Sequence, residues 1–204
     1  MRLPPITQAL LIANVAVFLL QSAFGAALII WFGLWPPLPS GPVIAPSFQI
    51  WQLVTYAFLH GSLAHLFFNM LALYMFGSEV ERLFGSRFYL KYYFASVVTA
   101  ALCHLVVSSW AGGPPVPTVG ASGGVYGLLL AYGIYFPRRT VMLLFPPIPM
   151  PARVFVTLFA ALELWFGVTG TQSGVAHFAH LGGMLGGFLM IQHRRGQFPF
   201  SRRR

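Results

Sequence analysis

Two segments far apart in the chain carry residues that together could cut a peptide bond. Ser122 lies in the run Gly120-Ala121-Ser122-Gly123, at a predicted junction between a loop and a helix. A serine hydroxyl is a weak nucleophile until a nearby base removes its proton. His180, near the start of a later apolar segment, could be that base. The pair indicates acyl transfer, with Ser122 attacking a carbonyl carbon and His180 carrying the proton.

A third segment could stabilise the negative charge that develops in such a reaction. His65 and Asn69 are four residues apart, so they share one face of a predicted helix. Both side chains can donate hydrogen bonds, and the backbone N–H of Ser122 is a further donor at a helix start. These three groups are a candidate oxyanion hole. His60, just before this helix, is interpreted as a structural residue that ties the preceding loop to it.

Small residues indicate how the serine and the histidine could meet. Gly123 and Gly127 are spaced by four on the serine's helix, and the histidine's helix carries four glycines: Gly182, Gly183, Gly186 and Gly187. Such pairs let two helix backbones approach closely in a membrane. Tyr126, one turn after Ser122, could pack against the imidazole of His180. Taken singly these features are ordinary, because serine is common at helix N-caps and glycine pairs are common packing features.

The elements that position these residues are predicted to span a membrane. Apolar residues make up 57% of the 204 residues and charged residues only 7%, against about 25% charged in a soluble domain. The expected fold class is all-α, a polytopic six-helix bundle forming one domain over 1–204. A basic cytoplasmic tail is expected at 193–204. The apolar runs predict helices at about 6–27, 62–77, 88–109, 122–136, 154–168 and 176–192.

Two predicted helices are short for a full span. The second and fourth have about 15 residues, roughly 22 Å at 1.5 Å per residue, against a hydrocarbon core of about 30 Å. We therefore expect a water-filled cavity at their external ends.

The basic residues indicate the orientation. All twelve fall into four clusters separated by loops without Lys or Arg: Arg2; Arg82, Arg87 and Lys91; Arg138, Arg139 and Arg153; and Arg194, Arg195, Arg202, Arg203 and Arg204. This alternation is the positive-inside pattern. It predicts an inner-membrane protein with both termini in the cytoplasm, and it disfavours a nucleic-acid-binding face.

The chain contains no Asp, which excludes a Ser-His-Asp triad. Glu79 and Glu81 lie at the cytoplasmic end, away from the other site residues. Glu163, about two-thirds along the fifth predicted helix, could approach their depth, but a structural role is favoured because intramembrane carboxylates are rare. The sequence thus predicts a Ser122–His180 dyad whose imidazole is oriented by packing alone.

A metal or other cofactor is not expected. His65, His177 and His180 would make a zinc-like count of three imidazoles, but no H-E-x-x-H pair occurs in the chain. His104 is interpreted as structural. Cys103, the single cysteine, is interpreted as a small buried hydrophobe.

The chain resembles the rhomboid intramembrane serine proteases over nearly its whole length. The matching motifs are Trp51-Gln52, His60/His65/Asn69, Gly77-x-x-x-Glu81-Arg82, Gly120-Ala121-Ser122-Gly123 with Tyr126, and Ala179-His180-x-x-Gly183-x-x-x-Gly187. This chain has Gln52 where some relatives have Arg.

The resemblance implies that Ser122 and His180 form the catalytic dyad, that His65 and Asn69 help to bind the oxyanion, and that Tyr126 stacks on His180. It further implies that transmembrane proteins are cut near the external leaflet. The fifth helix, with Trp165 and Phe166, would serve as a gate, and a movable cap is expected at 167–174. Two alternatives are a transporter that uses His65 and His180 as proton relays and a non-catalytic binder of membrane proteins. The substrate and the oligomeric state are not indicated.

Overall fold

The computed structural model describes residues 2–36, 46–111, 116–143, 146–170 and 176–197. Its α-helices are α1 (Pro5–Phe24), α2 (Ala26–Phe32), α3 (Gln52–Thr55), α4 (Leu63–Ala72), α5 (Ser78–Phe84), α6 (Ser86–Ala111), α7 (Ser122–Tyr135), α8 (Ala152–Thr169) and α9 (His177–Arg194). A 3-10 turn at Tyr56–Phe58 follows α3, and a π-helical turn at Leu73–Gly77 joins α4 to α5. Helices dominate the described residues, as an all-α class requires.

A short antiparallel hairpin interrupts the helices before α8. Its strands are β1 (Thr140–Met142) and β2 (Pro149–Pro151), with Val141 opposite Met150. The sequence analysis did not predict it. Strands of three residues are too short to show an alternating pattern, and two of the three residues of β2 are prolines.

The second predicted helix is longer than expected. Instead of ending near residue 77, the chain continues without a break through the π-helical turn and α5 to Phe84. Gly85 then ends the helix with a φ of 76°, a backbone conformation that glycine adopts at little cost. The 22 residues from Leu63 to Phe84 are therefore long enough to cross a membrane, and the expectation that this helix is too short is wrong.

The first predicted helix is divided at a glycine. α1 ends at Phe24, Gly25 has a φ of 54°, and α2 continues to Phe32. Helix α1 begins with Pro5, whose fixed φ suits a first helical position.

Four of the described helical segments are long and apolar enough to span a membrane: Pro5–Phe24, Leu63–Phe84, Ser86–Trp110 and Ala152–Thr169. Large apolar side chains on them face outward, including Leu19 and Trp165. A continuous apolar exterior of this kind is what a lipid environment accommodates. The two remaining long helices, α7 and α9, are not in this group because α7 has only 14 residues and α9 carries four glycines and three histidines, which lower its mean hydropathy.

Helix α7 lies inside the bundle, packed against α6, α8 and α9. Most of its residues are buried. A Cβ added at Gly183 of α9 would lie 2.0 Å from the carbonyl oxygen of Gly123, and one added at Gly187 would lie 3.3 Å from Cα of Gly127. The α7 and α9 backbones are therefore in direct contact, as small residues at matching positions allow.

At the opposite end from the candidate site, Glu81 holds three helices together. Its carboxylate accepts hydrogen bonds from the backbone N–H groups of Ile6 and Thr7 at 3.0 and 2.7 Å, and from the hydroxyls of Thr7 and Ser86 at 2.8 and 2.7 Å. The two N–H groups belong to the first turn of α1, where no intrahelical acceptor is available. Glu81 thus stabilises the start of α1 and fixes it against α5 and α6.

Some predicted segments fall outside the described residues. They are the central part of the loop after α2 (37–45), part of the glycine- and proline-rich loop before α7 (112–115), the second half of the expected cap (171–174) and the end of the basic tail (198–204).

The contact between α7 and α9 leads to a stability prediction. Gly183→Ala should lower the stability of the protein in detergent by about 1–3 kcal/mol, because its methyl group would press on backbone that cannot rotate away. Thermal unfolding followed by circular dichroism would measure the change. Gly61→Ala is the matched control, since a Cβ there would approach nothing closer than His65 Nδ1 at 3.9 Å. Equal stability of the two variants would contradict the close packing.

Candidate functional site

Ser122 and His180 meet where α7 and α9 begin. His180 Nε2 lies 2.9 Å from Ser122 Oγ, within hydrogen-bond distance. Ser122 is the first residue of α7, and Ala121 occupies the N-cap position. Capping of the helix is the simpler interpretation of a serine in this motif. The serine side chain does not cap its helix. Its hydroxyl is directed to the imidazole instead.

The loop before Ser122 depends on Gly120. This residue has a φ of 132°, a region that residues with a Cβ rarely adopt. A Cβ at Gly120 would also lie 2.8 Å from Nε2 of His65 and 3.6 Å from Ser122 Oγ. The backbone N–H of Gly120 donates to the carbonyl of Tyr56 at 3.0 Å. Gly120 therefore allows His65 to approach the serine loop closely, and no larger residue would.

His65 and Asn69 lie on α4, beside α7. Ser62 caps α4 by accepting a hydrogen bond from the backbone N–H of His65 at 3.1 Å. Asn69 is buried, and its Nδ2 donates to the carbonyl of His65 at 3.0 Å. An amide nitrogen carries two hydrogens, so the second N–H of Asn69 remains available for another acceptor.

Tyr126 stacks on the imidazole of His180. The ring centroids are 4.3 Å apart and the planes differ by 6°. Tyr126 lies one turn after Ser122, so a single helix provides both the serine and the aromatic surface that holds the base.

The imidazole of His180 is not oriented by packing alone, and that expectation is corrected. Oε2 of Glu163 lies 3.0 Å from His180 Nδ1. The ring N–H does not point straight at the oxygen, so the contact has the distance of an ion pair without the alignment of a hydrogen bond. Glu163 is buried, and its other oxygen accepts a hydrogen bond from the hydroxyl of Tyr126.

His177 belongs to the same cluster. Its Nδ1 lies 2.6 Å from Oε2 of Glu163, and its ring meets that of His180 edge-on at 6.4 Å. The two histidines are three residues apart, one turn of α9. The sequence analysis did not predict the contact between His177 and Glu163. Two signals were available: Glu163 is a carboxylate in an apolar segment of a chain without Asp, and His177 shares a helical face with His180.

Glu163, His177 and His180 also have three ligand atoms within 4.8 Å of one another. This group differs from the three imidazoles considered from the sequence, because Glu163 takes the place of His65. Ligands of a tetrahedral ion at about 2.0–2.1 Å lie roughly 3.3 Å apart. The 2.6 and 3.0 Å separations from Glu163 Oε2 are shorter than that, so in this arrangement the carboxylate contacts the imidazoles directly.

Two further histidines considered from the sequence, His60 and His104, lie away from the reacting groups. His60 is buried and packs edge-on against His65 at 5.1 Å, and burial lowers its pKa to about 4, so the ring is neutral. Its backbone is bonded in both directions to the side chain of Gln21 on α1, at 2.9 and 3.1 Å. His60 therefore ties its loop to the first helix rather than to the second. His104 Nε2 is 2.7 Å from the hydroxyl of Thr118, a contact between α6 and the serine loop.

Gln52 organises the segment after α2 without a charge. Its side chain accepts hydrogen bonds from the backbone N–H groups of Trp35 and Gln49 at 3.3 and 3.2 Å, and it donates to the carbonyl of Trp31 at 3.3 Å. The indole of Trp51 donates to the same carbonyl at 3.0 Å. The Trp51-Gln52 pair is thus a structural connection between α2 and α3.

The geometry combines the parts that acyl transfer requires. A serine hydroxyl lies at a helix N-terminus, a histidine nitrogen lies within hydrogen-bond distance of it, and an imidazole and an amide lie on the neighbouring helix. The free N–H groups and the positive end of the α7 dipole favour negative charge at Ser122.

Several known proteins resemble this chain over two thirds or more of its length. A family model described as the rhomboid domain matches residues 47–195. The chain is similar to the rhomboid protease GluP of Bacillus subtilis, with 34% identity over 68% of this chain and 25% of that protein. It is similar to the mitochondrial RHOMBOID-like protein 12 of Arabidopsis thaliana, with 30% identity over 76% and 49% of the two chains. It is also similar to the rhomboid protease GlpG of Klebsiella pneumoniae, with 31% identity over 91% and 62%.

The chain spans less than two thirds of the length of each of these relatives. The match to the domain nevertheless covers most of this chain and includes every residue of the candidate site. The chain belongs to the rhomboid family of integral membrane proteins.

Proposed function

We propose that this protein is an intramembrane serine endopeptidase that cleaves transmembrane segments of other membrane proteins through Ser122 and His180. The observation that carries the proposal is the 2.9 Å contact between Ser122 Oγ and His180 Nε2 inside an apolar helical bundle. The names of the similar rhomboid proteases support the same activity. A proton relay would leave the serine at the start of α7 without a role.

The proposed reaction is acyl transfer in two stages. His180 Nε2 takes the proton of Ser122 while Oγ attacks the scissile carbonyl carbon, and His180 then returns that proton to the leaving amine. The acyl-enzyme is released when water attacks it, with the proton again passing through His180. Each stage develops negative charge on the carbonyl oxygen. The backbone N–H of Ser122 and the side chains of His65 and Asn69 would bind this oxygen.

We place the site below the external surface of an inner membrane, in a six-span arrangement with both termini in the cytoplasm. The six spans would be α1, α4 continued into α5, α6, α7, α8 and α9. The site residues lie at the starts of α4, α7 and α9. Basic residues gather at the other end of the bundle, where Arg82 and Arg139 bind Glu79 at 2.7 and 2.5 Å and Arg194 stacks on Phe84. This separation matches the positive-inside rule.

The short α7 supports the same placement. Its 14 residues span roughly 21 Å at 1.5 Å per residue, less than a hydrocarbon core of about 30 Å. If its C-terminal end lies at the cytoplasmic surface, Ser122 lies within the membrane and water must reach it through a cavity. Substrate would arrive beside α8, whose Trp165 and Leu164 face outward.

A substrate helix would have to unwind near the site. In an intact transmembrane helix the backbone N–H and C=O groups bond to one another, and lipid offers no other partners. A scissile carbonyl becomes available only where that helix opens next to a polar cavity. No cofactor is needed for this reaction, and the oligomeric state is not part of the proposal.

The nucleophile and base can be tested with a fluorophosphonate probe, which labels activated serines. The purified protein in lipid should be labelled and should cleave a model transmembrane substrate, and Ser122→Ala and His180→Ala should each abolish both signals. Ser109→Ala, which removes a hydroxyl that donates to the Leu105 carbonyl of its own helix at 2.6 Å, should retain them. An unlabelled, inactive wild-type protein would contradict the protease proposal. Cleavage by Ser122→Ala would contradict the residue assignment.

The oxyanion assignment predicts a different kinetic signature. Asn69→Ala should lower kcat by roughly 10- to 1000-fold with a much smaller change in KM, because the interaction would be strongest in the transition state. Steady-state kinetics on a fluorogenic transmembrane substrate would measure both constants. The control is Asn14→Ala, because Asn14 is buried on α1 and bonds to Leu10 of its own helix. A loss confined to KM would argue against the oxyanion role.

The orientation predicts which loops meet each side of the membrane. In a Cys103→Ala background, Ser47→Cys should react with a membrane-impermeant maleimide on intact bacterial cells. Thr140→Cys should react only after the membrane is permeabilised. Both positions are exposed in the structure. The reverse labelling pattern would show that the site faces the cytoplasm.

A further inference from the structure

Glu163 is surrounded by donors that come from two other helices. It lies on α8 with only 8% of its surface exposed. The hydroxyl of Tyr126 on α7 binds one carboxylate oxygen, and Nδ1 of His177 and Nδ1 of His180 on α9 lie 2.6 and 3.0 Å from the other. A carboxylate in an apolar bundle is costly unless it is paired and hydrogen-bonded. The ionised form only accepts hydrogen bonds, so it fits the Tyr126 hydroxyl and the His177 ring nitrogen as partners, with the His180 ring at ion-pair distance.

The position of Glu163 bears directly on the proton of His180. For Nε2 to accept the proton of Ser122, the single hydrogen of the neutral ring must be on Nδ1. An acceptor 3.0 Å from Nδ1 favours that tautomer. With the hydrogen on Nε2, the ring would donate to Ser122 Oγ and could not act as a base.

Two residues fix the carboxylate in this position. His177 holds the same oxygen that faces His180, at 2.6 Å, and Tyr126 holds the second oxygen. Tyr126 also stacks on His180 at 4.3 Å, so one side chain contacts both the base and the carboxylate behind it. Movement of Glu163 would require breaking bonds to α7 and α9 together.

We propose that Glu163, held by His177 and Tyr126, is a positioning residue that keeps the hydrogen of His180 on Nδ1 and stabilises the imidazolium formed when Ser122 attacks. The site is therefore a dyad supported by a carboxylate, and this inference rests on the proposed function of Ser122 and His180. The imperfect direction of the Nδ1–H in the resting structure is compatible with this role, because catalytic hydrogen bonds often tighten only when substrate binds. The proton taken from Ser122 is held on Nε2 until His180 passes it to the leaving amine, and Glu163 gains no proton.

A purely structural role for Glu163 makes a different prediction. If the carboxylate only connects α7, α8 and α9, its removal lowers stability and leaves the rate constant of the folded fraction unchanged. Glu81 offers the matched comparison, because it is also a buried carboxylate that accepts hydrogen bonds from several elements, and it lies at the other end of the bundle.

The test compares Glu163→Gln with Glu81→Gln in lipid. Three quantities are measured for each variant: the thermal midpoint, the rate of fluorophosphonate labelling, and kcat and KM for a transmembrane substrate. Glu163→Gln should lower kcat and the labelling rate by roughly 100-fold or more, with KM nearly unchanged, because its amide can donate to Nδ1 and so favour the wrong tautomer. Glu81→Gln should lower the thermal midpoint and leave kcat and the labelling rate close to wild type.

Tyr126→Phe is a second variant that tests the positioning role of Glu163. It keeps the aromatic stack on His180 and removes only the hydroxyl that binds Glu163. We expect kcat to fall roughly tenfold in this variant, a typical size for losing one hydrogen bond of about 1.4 kcal/mol. Glu163→Asp should recover part of the activity lost in Glu163→Gln, since it restores an anion at a slightly greater distance.

The outcomes separate this inference from the proposed function. A folded Glu163→Gln protein that keeps wild-type kcat overturns the inference, and if that variant does not fold, wild-type kcat in Tyr126→Phe overturns it. Either result leaves the protease proposal intact as long as activity requires Ser122. If wild-type protein shows no Ser122-dependent cleavage, the proposed function itself fails.

Discussion

The candidate site depends on the direct contact between the backbones of α7 and α9. Gly123 and Gly183 face each other so closely that a single added methyl group would overlap backbone atoms. Larger side chains at such positions would push the two helices apart and lengthen the contact between the serine and the histidine near their ends. Here His180 Nε2 and Ser122 Oγ are 2.9 Å apart. The chemistry of the site thus follows from a packing property of residues that carry no functional groups.

The same apolar surroundings explain why both buried carboxylates accept hydrogen bonds from neighbouring helices. Glu81 accepts hydrogen bonds from the first turn of α1 and from α6, and Glu163 is held between α7 and α9. A buried carboxylate in an apolar bundle is stabilised by hydrogen bonds from the side chains and backbone around it. One carboxylate is used to anchor the first helix. The other is placed where a histidine base needs an acceptor, and this is the physical basis of its proposed role.

Helix ends contribute as much to the site as side chains do. Ser122 is the first residue of α7, His65 lies in the first turn of α4, and His180 is in the first turn of α9. Free backbone N–H groups and the positive ends of three helix dipoles therefore converge near the serine. Gly120, with its positive φ, allows the loop before Ser122 to enter this space beside His65. An anionic intermediate would be favoured here before any side chain moved.

A resemblance carried by several motifs indicated the family, and the chain's composition, its glycine spacing and the motif around Ser122 were sufficient to predict a helical membrane bundle and the pairing of Ser122 with His180. These features follow from local patterns, because apolar length, helical periodicity and charge distribution can all be read from the order of residues in the chain. The extension of the second helix to Phe84 and the hairpin at Thr140–Met142 were not visible, because a π-helical turn and three-residue strands leave no clear pattern. The contact of Glu163 with His180 was the most important feature that the sequence did not predict. Its sequence position showed only that it could approach the site, whereas its distance from His180 depends on how α8 packs against α7 and α9, and only the tertiary structure determines that packing.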